Sequence, residues 1–194
     1  MVTVSDAAGA TDTTENILGP RPGFSPHIGT LVSEMTWMRD AVVRSISGLN
    51  SEQLDYLLDR KANTIGALLL HLAATERLYQ LNTFDQMPLG EIARSTAFRD
   101  WNVAMELGEP ARRSIKGKNL DFYLVALHAA REKTLSEFRK RDDAWLMAVD
   151  KTWGWGPTNN CASGSTSANM NRTIPVRLPC YAGEFPAAKS ASSG

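Results

Sequence analysis

Asn63-Thr64-Ile65-Gly66-Ala67-Leu68-Leu69-Leu70-His71-Leu72-Ala73-Ala74-Thr75-Glu76-Arg77 sets a single imidazole inside an almost unbroken apolar run. From Ile65 to Ala74 the stretch is rich in Leu and Ala, lacks proline and is apolar on every side. That pattern predicts a helix whose neighbours cover most of its circumference, hence the central helix of the fold. Asn63 or Thr64 can cap it, because a short side-chain oxygen accepts from first-turn N–H groups that have no intrahelical partner. His71 falls two turns in, with Ala67, Leu68, Ala74 and Thr75 as its i±3 and i±4 neighbours. A buried imidazole needs a partner for each ring nitrogen. The residues leave two readings open: a core histidine bonded to a side chain or carbonyl, and a metal ligand. One histidine alone is not a metal site.

Working outward, 194 residues at 43% hydrophobic and 22% charged describe one ordinary globular domain. Lysine plus arginine equals aspartate plus glutamate at 21 each. With a sequence pI near 6.8, nothing calls for nucleic acid or an anionic membrane as partner. The first 23 residues lack the basic start and apolar core of a secretory signal, and no stretch approaches a membrane span, so the expected location is cytoplasmic. Cys161 and Cys180 have neither zinc-finger spacing nor company for a disulfide framework.

Upstream of the central run, residues 1–23 are small, polar and punctuated by Gly and Pro, the composition of a flexible arm. Ser25-Pro26 then opens a helix carrying Ile28, Leu31, Val32, Met35, Met38, Val42 and Ile46 on one face until Gly48. His27 sits in its first turn, where a surface or capping role is the simpler reading. Asn50-Ser51-Glu52-Gln53 has capping-box form before Leu54, Leu57 and Leu58, so a short connecting helix is expected to end at Asp59-Arg60-Lys61.

Downstream, residues 82–117 read as short helices in a long crossover anchored by Phe98, Trp101, Val103 and Met105. From Asn119, Leu120, Tyr123, Leu124, Leu127, Ala130, Thr134 and Phe138 form the stripe of a third long helix. His128 lies beside this stripe, within reach of the core, and reads as a boundary residue before a ligand. The Arg139-Lys140-Arg141-Asp142-Asp143 run reads as a solvated helix exit. No strand-like alternation is present, and the expected fold is an all-α bundle. Trp153-Gly154-Trp155-Gly156-Pro157-Thr158-Asn159-Asn160 is a turn poised to start a fourth helix. Residues 161–194 instead have the Ser, Ala, Gly and Pro content of a disordered tail.

Phe24 through Val32, Gly48-Leu49 with Leu54-Asp55-Tyr56-Leu57, Asn63 through Arg77, Asn119 through Leu124 and Trp153 through Asn160 together resemble the DinB/YfiT-like superfamily of metalloenzymes. The resemblance covers residues 24–160 and implies a four-helix bundle. It also implies a divalent metal (Zn, Ni or Mn) held by one histidine on the second helix and two, spaced His-x-x-x-His, on the last. His71 matches the first ligand position. Nothing after Asn160 matches, and His27 and His128 do not occupy ligand positions, so metal binding is expected to be weak or absent in this chain. If the codons for Ser163 to Tyr181 are read one nucleotide upstream, Met170-Asn171 yields Glu and Asn169-Met170 yields His or Tyr. Suitable synonymous codons then give Trp-Phe-His-Val-Cys-Glu-His-Glu-Pro-His-His-Ser-Gly-Gln-Ile, which resembles the family's last helix and points to a frameshift. The resemblance implies metal-dependent transfer or isomerisation chemistry, with a small-molecule thiol and an electrophilic substrate as partners and with catalysis impaired here. The alternative is a non-catalytic bundle acting through protein interaction or oligomerisation, with a homodimer as the expected assembly.

Overall fold

The computed structural model describes residues 17–151 and 156–166. Three long helices, α1 (Pro26–Ile46), α3 (Ile65–Thr83) and α7 (Leu120–Phe138), make an all-α framework. α2 (Ser51–Leu54) links the first two. α4 (Leu89–Ile92), a 3-10 turn (Arg99–Trp101), α5 (Asn102–Glu106) and α6 (Gly108–Ser114) make the crossover to α7, and α8 (Asp143–Met147) follows it. The strands β1 (Val149–Asp150) and β2 (Thr158–Asn159) pair antiparallel, Val149 opposite Asn159. Two residues each are too few for the alternation by which strands are recognised, which is why no strand was expected here.

α3 is central, as its composition requires. Residues from Ile65 to Glu76 are buried almost without interruption, with α7 along one side and α5 on another. Thr64 caps it, its hydroxyl accepting from Ala67 N–H, whereas Asn63 reaches away to accept from Gly108 N–H at 2.8 Å. That bond pins the corner between α5 and α6, where Leu107 takes a φ of +59°. The main core joins the C-terminal half of α1 to α3, the crossover and α7 through Val42, Ile46, Leu69, Leu72, Tyr123 and Leu127. A second cluster packs Ile28, Leu31, Met35, Phe138 and Leu146 around the other end of α1.

Several expectations need revision. The capping box at Asn50 and Gln53 forms, but its helix stops at Leu54, leaving Leu57 and Leu58 exposed. His128 points to solvent and does not reach the core. The charged run after α7 is more than an exit. Arg141 lies 4.6 Å from the Phe84 ring centroid and 4.9 Å from that of Trp145, while Asp143 caps α1. Residues 160–166 are helical (α9), where no regular structure was expected. Asn159 caps this turn by accepting from Ala162 N–H, Ser163 is buried, and Gly164 lies against Leu31. Its small residues carry no apolar periodicity because the contact is made by close approach rather than by large side chains. Residues 1–16 of the expected arm and 167–194 of the expected tail lie outside the described residues.

Candidate functional site

His71 is 8% exposed and its Nδ1 lies 3.0 Å from the carbonyl oxygen of Ala104, in α5 of the crossover. A carbonyl only accepts, so Nδ1 carries the proton and the neutral ring keeps its lone pair on Nε2. Burial pushes the imidazole pKa below its ordinary 6.5, against the pull of the Ala104 and Met105 backbone. The core-histidine reading therefore has its partner, a main-chain oxygen supplied by α5.

The metal reading requires further ligands around that ring. Among the described residues no group of three or more His, Cys, Asp or Glu side chains is gathered as a metal would need. His27 lies at the start of α1 with Nδ1 2.9 Å from Asp143 Oδ2, and His128 is on the outer face of α7. The described residues do not fit a transition-metal centre, since stable sites take three or four protein ligands and His71 supplies one.

One turn beyond His71 lies the most elaborate polar cluster of the described residues, around Glu76 at 2% exposure. Arg39 of α1 donates from Nη2 to Glu76 Oε2 at 2.9 Å. Arg131 of α7 donates from Nε to Oε1 at 2.9 Å and from Nη2 to Oε2 at 3.3 Å. Thr134 Oγ1 donates to Oε1 at 2.7 Å, and Gln80 Nε2 donates to Thr134 Oγ1 at 2.9 Å and to Ala130 O at 2.7 Å. Two guanidiniums meet one carboxylate, and the surplus donors find helix carbonyls: Arg39 Nη1 that of Leu127, and Arg131 Nη1 that of Met35. Burial alone would raise the Glu76 carboxyl, but Arg131 and Arg39 hold it below the usual carboxylate range. Burial, joined by repulsion from Arg131, brings Arg39 down to about 10. The cluster ties all three long helices at one point.

Sequence reading missed this cluster. The usable signal was a glutamate ending an apolar run, with Arg39 and Arg131 each lying on the core stripe of its own helix. A cavity of about 20 Å³, room for one water, borders Glu76, Gln80, Thr83 and Thr134 beneath Asn160 and Gly164. With every Glu76 oxygen engaged and so little space beside it, the cluster is built to hold helices together rather than to transfer protons to a substrate.

Larger concavities lie at the surface. One of about 510 Å³ runs between the loop after α3 and the β1–β2 pair. Another, about 640 Å³, is a groove between α3 and α7 with Trp101 at its edge and Phe122, Val125, Ala126 and Ala129 along its floor. No helix among the described residues is long and apolar enough to cross a membrane. No family model matches the chain, and a comparison with curated proteins found no match.

Proposed function

We propose that this chain acts as a non-catalytic helical bundle through self-association, on a DinB-like architecture whose metal centre is reduced to the first-ligand position, His71. The observation that carries this reading is the outer face of α7. Phe122 is 42% and Val125 67% exposed, beside the apolar groove, on a helix whose opposite face already fills the core. An exposed apolar patch on a helix whose other side already fills the core implies a second contact, because solvent-facing helix positions are ordinarily polar. Sedimentation velocity over a wide concentration range tests it. A concentration-dependent shift to a larger species is expected, and a monomer throughout would refute the reading.

A second reading, a metal-dependent thiol transferase or isomerase, is favoured by two observations. His71 donates Nδ1–H to a backbone carbonyl, the arrangement that orients metal-ligating imidazoles. α9 also starts at residue 160, where the DinB resemblance places the last helix. On this reading the complete protein is the one whose frame is restored after Asn160, giving two further imidazoles. Thermal unfolding of that protein with and without Zn2+, Ni2+ or Mn2+ tests it. Metal-dependent stabilisation lost in His71→Ala supports the reading, and a restored protein that gains neither stability nor His71-dependent affinity refutes it.

A further inference from the structure

The outer face of α7 has a specific pattern. Asp121, Phe122, Val125, His128, Ala129 and Glu132 recur at the three- and four-residue spacing of a single helical face, and all six are exposed. Lys118 precedes the helix, and its ammonium sits 5.3 Å from the Phe122 ring centroid, which places it at the N-terminal end of the same stripe. The stripe thus runs base, acid, apolar centre, imidazole, acid. Val125, its most exposed apolar member, lies at its middle.

Resting on the self-association reading, we propose that this stripe is the interface and that its occupant is the same stripe of a second copy, antiparallel, with the two-fold axis at Val125. An isologous contact must be self-complementary. In an antiparallel helix pair, residues whose numbers are symmetric about the axis face each other, and like edges of the two stripes meet. Centred on Val125, this brings Lys118 opposite Glu132 of the second copy. Along one edge Asp121 approaches His128 of the second copy, whose imidazole N–H can donate to the carboxylate. Along the other edge Phe122 packs on Ala129, whose small side chain admits the ring. Val125 meets its own copy at the centre. Every charged group of the stripe meets an opposite charge or a donor, and no like charges are opposed. An antiparallel crossing near 20° is an ordinary helix-packing geometry.

Charge reversal combined with mixing tests this arrangement. Lys118→Glu and Glu132→Lys each place two like-charge pairs in a homodimer. Each should weaken self-association roughly tenfold or more, as should Val125→Asp. Mixing the Lys118→Glu chain with the Glu132→Lys chain restores two opposite-charge pairs, so the mixture should dimerise when neither chain does alone. All three positions are exposed, and unchanged circular dichroism will show that folding is intact. A monomeric wild type, including one whose own residues 167–194 cover the stripe, would overturn both this interface and the self-association reading. A wild-type dimer indifferent to Val125→Asp and to both reversals would overturn this interface alone.

Discussion

Glu76 is the residue on which the packing of the three long helices converges. Its carboxylate receives Arg39, Arg131 and Thr134 in a site shut off from bulk solvent. Removing it leaves two buried guanidiniums facing each other without compensation. Glu76→Ala is therefore expected to destabilise the fold by about 3–5 kcal/mol, measured by urea unfolding. A loss below ~1 kcal/mol would show that the cluster is not the pin described. His71 contributes differently. Because its folded-state pKa lies below 6.5, the unfolded chain takes up this proton more readily than the folded one. Its stabilising contribution is complete above pH 6.5 and is lost as pH falls toward the folded-state value. Thermal midpoints should thus decline as pH falls below 6.5, and His71→Gln, which can still donate to Ala104 but does not titrate, should flatten that decline. Below that window Glu137 and Asp143, both held down to about 2, lose their contributions as they protonate. For Glu137 the cause is hydrogen bonding from Lys133, Arg141 and Lys140. For Asp143 some loss of hydration acts upward, and Ser25 with the start of α1 overcomes it.

At the scale of elements, the three long helices were legible because each has a stripe or run that reads as helix, and for α3 a capping Thr64 was among the candidates. α9 and the β1–β2 pair were not, since their stability comes from tertiary contacts that leave no periodic trace. Asp143 shows the same limit. It reads as part of a charged exit, yet it accepts from Ser25 Oγ at 2.5 Å and from the N–H groups of His27 and Ile28, so α8 caps α1 across more than a hundred residues. The contact between α3 and α7 turns on Gly66. A Cβ there would collide with the ring and hydroxyl of Tyr123, which is fully buried. Gly66→Ala is expected to cost about 1–3 kcal/mol through overpacking, despite alanine's higher helix propensity. The Tyr123 hydroxyl has no hydrogen-bond partner among the described residues, so Tyr123→Phe should be near neutral in the same unfolding assay. A stabilising Gly66→Ala would mean that the two helices are not in the close contact described.

For the whole molecule, the all-α character followed from the sequence directly, because three helical periods and no strand pattern leave few other architectures. The candidate site was legible only in part. His71 stood out because one imidazole in an apolar run is conspicuous, but its partner is a backbone oxygen contributed by α5, and backbone partners have no sequence signature. Glu76 and its arginines lie in three separate helices, and their convergence is a property of the packed bundle. The outer stripe of α7 was partly hidden for another reason. Phe122, Val125 and Ala129 look like core residues until the helix is seen to bury the opposite side. The self-association proposal rests on this face, and the metalloenzyme reading on further ligands that His71 does not find among the described residues. The most direct test is the metal content of the purified chain after mild chelation and reloading with Zn2+, Ni2+ or Mn2+, compared with His71→Ala. The account predicts less than one tightly held equivalent in both proteins, with no difference between them. One stoichiometric equivalent in the wild type that disappears in His71→Ala would contradict it.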